Sequence, residues 1–170
     1  MNQNQQLIEK FYTCFQHKDF GGMQECYADH ALFNDEVFSD LTTEQVRAMW
    51  KMFCLNGKDL KIEFSNISAG DFNGKAEWTA TYTFSATGRK VVNHIKASFT
   101  FANGKIVSHT DSFDFYTWSK QALGITGLLF GWTPQIKKKV KQSAMKNLSA
   151  FMNKKVSGNY VNHFHERVAG

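Results

Sequence analysis

Three side chains in this sequence have the types and spacing for proton-transfer chemistry: Asp35, His109 and Asp111. His109 and Asp111 are two residues apart, so on a strand they share a face. There a carboxylate can orient an imidazole and raise its basicity. Asp35 sits in Phe33-Asn34-Asp35-Glu36-Val37-Phe38. Desolvated at the wall of a pocket, it would have a raised pKa and serve as general base or acid. Asn93 could hold a substrate oxygen or a water. Plainer roles compete at each position. A histidine on an apolar face is commonly a core residue bonded to a carbonyl, and Asp35 also suits a turn, capping the loop before Val37-Phe38.

The elements that must position these groups follow from periodicity. Leu7, Ile8, Phe11 and Phe15 recur at helical spacing, and Asp19 caps a short second helix reaching about Cys26. Ala31-Leu32-Phe33 reads as a short first strand. Thr42-Thr43-Glu44-Gln45 is a capping-box pattern opening a helix with Val46, Met49, Trp50 and Phe53 on one side, which Asn56-Gly57 ends. From Lys75 to Ala86 the period becomes two: Ala76, Trp78, Ala80, Tyr82, Phe84 and Ala86 alternate with polar residues. Asn73-Gly74, Thr87-Gly88 and Asn103-Gly104 read as hairpin turns. Four antiparallel strands are therefore expected, roughly over 59–70, 74–87, 90–102 and 105–116. Thr133-Pro134 then opens a helix carrying Ile136, Val140, Ala144, Leu148 and Phe151/Met152 as a stripe. Helices, a meander and further helices predict an α+β fold with helices on one sheet face.

The inward sheet face is mostly apolar but not wholly so. Ile95, Ala97, Phe99 and Phe101 share a side with Asn93, while Val107, Phe113 and Phe115 share a side with His109 and Asp111. Buried polar groups without partners cost about 1–3 kcal/mol each, so these three must bond one another, be hydrated, or line a cavity.

The order of elements and three strings resemble the nuclear-transport-factor-two-like superfamily, which includes ketosteroid isomerase, scytalone dehydratase, limonene epoxide hydrolase and the SnoaL-like polyketide cyclases. The strings are Cys26-Tyr27-Ala28-Asp29-His30-Ala31, Phe33 to Phe38 as above, and Gly104-Lys105-Ile106-Val107-Ser108-His109. The resemblance spans about residues 5–120. It implies a cone: a curved antiparallel sheet wrapped around N-terminal helices, enclosing a deep apolar pocket, usually in a homodimer. Asp35 falls where ketosteroid isomerase keeps its proton-shuttling carboxylate. The isomerase's oxyanion hole needs a Tyr and a protonated Asp, and those places fall on Phe11 and Ala97, which donate no hydrogen bond. Steroid isomerisation is therefore not expected, and the dehydratase and cyclase branches fit better. On this reading Asp35, His109 and Asp111 are catalytic. Asn93, Phe11, Trp78, Ala97, Phe99 and Phe113 contact a small hydrophobic ligand, and no cofactor or metal is implied. The alternative is a non-catalytic ligand carrier or dimeric scaffold of the same fold.

Composition narrows the remaining classes. The chain has 170 residues, 42% hydrophobic and 21% charged, enough for one packed domain and unlike a disordered segment. No stretch reaches the roughly 18 apolar residues of a membrane span. The polar start, Met1 to Gln6, lacks the basic and apolar regions of a signal peptide. Cys14, Cys26 and Cys54 have no metal-ligand spacing and suit reduced, packed thiols, so a cytoplasmic location is expected. His163 and His165 are poor evidence for a metal. The net charge of +5 is uneven: +7 from Trp132 onward and −2 before it. The basicity thus belongs to a C-terminal extension, residues 121–170, comprising an apolar, glycine-punctuated loop and a basic amphipathic helix and tail packed on the cone domain of residues 1–120. Such a charge run is commonly a solvated face, and nucleic acid is not expected as a partner. The apolar run, Leu123 to Trp132, could close the pocket mouth, pack at an interface between copies or touch a membrane; the first two are expected, since about ten residues cannot span a bilayer.

Overall fold

The computed structural model describes the backbone of residues 2–166 and side chains to residue 154. Six strands, β1 (Tyr27–Asn34), β2 (Leu41–Thr42), β3 (Lys61–Ala69), β4 (Asn73–Phe84), β5 (Arg89–Ala102) and β6 (Lys105–Ser112), form one sheet in the order β2-β1-β6-β5-β4-β3. Helices α1 (Gln3–Gln16), α2 (Phe20–Glu25) and α3 (Thr43–Asn56) contribute Ile8, Phe11, Tyr12, Phe15, Met23, Val46, Met49 and Trp50 to the core over its inner face. Helices α4 (Phe115–Leu123), α5 (Ile125–Phe130) and α6 (Pro134–Glu166) follow. The fold is α+β with a curved open sheet, N-terminal helices and a C-terminal helix.

Local signals place most boundaries. Asn2 caps α1: its side chain accepts from the Gln5 amide at 2.8 Å, while the Gln5 side chain accepts from the Asn2 amide at 3.0 Å. Gln45 returns to the Thr42 amide at 2.9 Å to start α3. Asn103 and Gly104 take φ of 52° and 70° in the β5–β6 hairpin, the left-handed region that such a turn needs.

Several expectations are corrected. The four expected strands pair antiparallel as β3 to β6, but β1 joins them parallel to β6 and is longer than Ala31-Leu32-Phe33. Asn73-Gly74 is the first step of β4 rather than a turn. The chain reverses over Gly70-Asp71-Phe72, closed by the Gly70 amide on the Asn73 carbonyl at 2.8 Å. Gly74 serves packing, since a Cβ there would lie 2.9 Å from both Ile8 Cδ1 and Phe101 Cε2. Val107 does not share the inward face. Thr100 pairs with Ser108 and Phe101 with Ile106, so β6 carries one extra residue, and this bulge turns Ile106 inward instead. The last strand stops at Ser112, and Phe115 begins α4, because the Asp114 carboxylate accepts from the Thr117 amide at 3.1 Å as a helix cap. The glycine-punctuated run is likewise not a loop: it finishes α4 and forms α5.

Two apolar clusters result. The larger fills the space between the sheet and α1–α3, and the smaller gathers Val91, Phe115, Trp118 and Ala122. Val37, Tyr82 and Phe113 touch both. Helix α6 lies across them, with Ile136 and Val140 on the smaller cluster and Leu148 fully buried in the larger. Lys137 bonds Glu36 near its start. Leu148→Ala should therefore lower the unfolding free energy by about 2–5 kcal/mol, read from urea denaturation followed by circular dichroism. A loss of under about 0.5 kcal/mol, the size of an ordinary surface change, would show that α6 adds nothing to the core.

Candidate functional site

His109 and Asp111 project from β6 onto the inner face. His109 is 0% exposed and Asp111 3%. His109 Nε2 lies 3.1 Å from Asp111 Oδ1, and its Nδ1 lies 2.6 Å from the Tyr27 hydroxyl. Trp50 Nε1 donates to the same hydroxyl at 2.9 Å, and Trp78 Nε1 donates to Asp111 Oδ1 at 3.2 Å. One proton arrangement satisfies every group. The indole of Trp50 donates to Tyr27, Tyr27 donates to Nδ1, Nε2–H donates to Asp111, and Trp78 donates to Asp111 as well. The imidazole is enclosed by rings, with the Phe99 centroid at 4.3 Å, Phe33 at 5.1 Å and Phe11 at 5.6 Å. The sequence pairing of His109 with Asp111 is thus present. The carbonyl partner of the plainer reading is replaced by a tyrosine hydroxyl.

Asp35 lies just past the end of β1. Its Oδ1 accepts from the Val37 amide at 2.6 Å and the Phe38 amide at 2.5 Å, so the turn-capping role is realised. The group is also desolvated. Burial first, then the nearby Asp111 and Glu36 charges, outweigh the two amide bonds and raise its pKa to about 6. The Asp35 charge in turn contributes to raising the Tyr82 phenol, whose main cause is burial. Tyr82 accepts from Trp118 Nε1 at 2.9 Å, which leaves its own O–H free to donate elsewhere. Asn93, one strand over, is half-buried opposite Ala80.

The expected ligand-contacting residues divide into two groups. Phe11, Trp78, Ala97 and Phe99 are buried in the larger cluster, packed against Tyr12, Phe15 and Trp50. Asn93 and Phe113 are half-buried, Phe113 at the seam between clusters. The 190 Å³ depression over Asn2–Asn4, Asp71 and Phe101–Gly104 is superficial and remote from Asp35 in the fold. Among the described residues no three His, Cys, Asp or Glu side chains gather as a metal site, and the side chains of His163 and His165 lie outside those described. Burial pushes the Cys26 and Cys54 thiols up to about 11, as befits packing residues rather than nucleophiles.

The signature of the SnoaL-like domain family matches residues 8–109. The chain belongs to that family. Solved structures sharing the fold include an LEH-like epoxide hydrolase from M. tuberculosis (18% identity, TM-score 0.59, covering 75% of this chain and 95% of that one). Another is a protein provisionally assigned as a polyketide cyclase from Xanthomonas campestris pv. campestris (16% identity, TM-score 0.60, 71% and 96%). A third, from Catenulispora acidiphila, has a ketosteroid isomerase-like fold and is in complex with trimethylamine (10% identity, TM-score 0.61, 75% and 97%). No curated protein matches the chain by sequence.

Four residues of this SnoaL-like site carry no signal of their own in the sequence: Tyr12, Tyr27, Trp50 and Tyr82. Tyr12 follows Phe11, and its hydroxyl is fully buried without a hydrogen-bond partner among the described residues. Burial, then the Asp111 charge, hold that phenol well above its usual pKa. A single clue to Tyr27 was available, since His109 needs a donor for its second nitrogen. Tyr27→Phe leaves the Trp50 N–H and His109 Nδ1 unpaired. It should cost about 1–3 kcal/mol per orphaned group, measured by urea unfolding. An unchanged midpoint would show that the tyrosine hydroxyl is not the partner of both.

Proposed function

We propose that this protein moves protons on a small apolar molecule bearing an oxygen function, as a cofactor-independent isomerase, dehydratase or cyclase, with Asp35 as the reacting base. The observation that carries the reading is the state of the Asp35 carboxyl. One oxygen is fixed by two amides, and burial holds the pKa at about 6. A carboxylate tuned toward neutrality accepts a carbon- or oxygen-bound proton and can return it. Tyr82 supplies a donor for the substrate oxygen, and Asn93 a second polar contact beside it. His109 and Asp111 are proposed as catalytic through their charge and proton chain. Asp111 is the charged neighbour that does most to raise the Asp35 pKa, and His109 holds Asp111 in place. Epoxide opening and polyketide cyclisation, the activities named for two fold relatives, both need such a base. The ligand enters at the seam of Val37, Tyr82 and Phe113, beneath the start of α6. Two copies associate as a homodimer, as in the family's usual assembly.

A second reading, a non-catalytic carrier or dimeric scaffold, is favoured by one feature: the rings of Phe11, Trp78 and Phe99 occupy the inner core, and both nitrogens of His109 are engaged.

The two readings separate with 5-nitrobenzisoxazole, which opens when one carbon-bound proton is removed. Turnover should rise with pH through an inflection near 6, vanish in Asp35→Asn, and show its inflection at lower pH in Asp111→Asn. Turnover that survives Asp35→Asn, or a profile flat across that range, would leave only the binding reading. Stability gives an independent check. A carboxyl whose folded pKa exceeds its unfolded value binds protons more tightly when folded, so it lowers stability as pH rises from about 4 to 6 and no further above that. Asn keeps the oxygen that accepts both amides and cannot ionise. Asp35→Asn should therefore be the more stable protein at pH 7, by about 2–3 kcal/mol at 1.36 kcal/mol per pKa unit. The advantage should disappear near pH 4.

A further inference from the structure

Helix α5 and the turn after it gather five of the protein's exposed large apolar side chains. Ile125 is 76% exposed, Trp132 is 72%, and Leu128, Leu129 and Phe130 are each 54%. The opposite side of α5 is pressed so closely onto α4 that a Cβ on Gly127 would lie 1.9 Å from the Ser119 carbonyl oxygen. The glycine thus seats the helix by its backbone and turns its four large apolar side chains outward, with Trp132 exposed just beyond.

The last four carbonyls of this knuckle are turned inward. Carbonyls at a helix end ordinarily face water, yet here each has a donor. Leu128 O accepts from the Tyr116 hydroxyl at 3.1 Å, Leu129 O from Trp132 Nε1 at 3.2 Å, and Phe130 O from the Thr133 hydroxyl at 2.6 Å. Gly127 O accepts from the Gly131 amide at 2.8 Å. That end of the surface can leave water for an apolar medium without orphaning those carbonyls.

Charge surrounds it with one sign. From Phe115 to Lys154 the chain has seven lysines and no Asp or Glu. Lys138 and Lys139 are exposed six and seven residues beyond Trp132, Lys120 lies over the Tyr116 ring at 4.6 Å, and Arg89 donates to Gln121 O at 2.8 Å beside Gly124. Apposing this face to its own copy would set lysine against lysine, whereas an anionic surface complements it.

We propose that α5 and the first turns of α6 dock this protein peripherally on an anionic lipid bilayer. The apolar side chains enter the acyl boundary and the flanking cations meet the headgroups. No described helix is long and apolar enough to cross a membrane, so the attachment is to one leaflet and reversible. The inference stands apart from the proposed activity.

Co-sedimentation of the full chain tests it with vesicles of phosphatidylcholine alone and with one-third phosphatidylglycerol. Binding should require phosphatidylglycerol and weaken with added salt. It should fall at least tenfold in Phe130→Ser/Trp132→Ser, whose side chains support no core contact, and on the order of thirtyfold in Lys138→Gln/Lys139→Gln. Unchanged circular dichroism and melting would show both variants folded. Three results would overturn the proposal: no vesicle binding by the unaltered protein, equal binding to both vesicle types, or self-association that Phe130→Ser/Trp132→Ser abolishes in a protein that ignores vesicles.

Discussion

The interior of this protein is organised by the need to bury an imidazole and a carboxylate without stranding either. His109 and Asp111 sit on the concave face of the sheet, where water cannot serve them. Each leftover valence is met by a side chain from a different element: Trp50 from α3, Tyr27 from β1 and Trp78 from β4. The resulting chain crosses the core from helix to sheet. Its geometry fixes how α3 lies on the strands more narrowly than apolar contact could, because rings slide where hydrogen bonds do not. Buried networks of this kind tolerate no partial occupancy, since a missing member leaves a donor or acceptor desolvated.

That dependence explains which parts of the site were legible in the sequence. His109 and Asp111 advertise each other, being two apart on a strand whose neighbours are apolar. The long alternation through Ala76 to Phe84 likewise marks β4 unaided. Tyr27 and Trp50 do not, because their meeting with His109 depends on β1 lying parallel to β6, a pairing between segments some 80 residues apart that no local pattern encodes. The same is true of the bulge at Val107, where a slip of one residue exchanges Ile106 for Val107 on the inner face. Phe115 misled for a simpler reason. Its apolar phase continues that of Phe113, and only the capping carboxylate of Asp114 tells that a helix has begun.

Asp35 shows how a structural duty and a chemical one coexist in one side chain. The turn that ends β1 needs an acceptor for two amides, which any Asx residue could supply. The same turn buries the carboxyl between Glu36, which Lys137 of α6 bonds, and Val37 at the seam of the two apolar clusters, where the charge is poorly solvated. The amide bonds favour ionisation and the burial opposes it, and burial prevails. A residue retained purely for the turn would better be asparagine, which accepts both amides without carrying a desolvated charge. The ionisable form at this position costs stability at neutral pH, and stability given up at a buried group is a common mark of chemistry.

Helix α6 joins these regions. Its apolar side reaches the core through Leu148 and the smaller cluster through Ile136 and Val140, while Lys137 holds Glu36 next to Asp35. Lys138 and Lys139 of its first turns are exposed close in sequence to the α5 knuckle, while Lys141 reaches Ser39 at 3.4 Å. The positive charge that dominates the whole-chain balance therefore has two unequal uses. Lys137 and Lys141 tie the helix to Glu36 and Ser39, whereas Lys138 and Lys139, placed against the helix dipole rather than with it, have no bond to the fold among the described residues. A cluster held against its own electrostatic preference, beside an apolar surface whose carbonyls are already satisfied, is accounted for by an anionic surface outside the molecule rather than by anything within it.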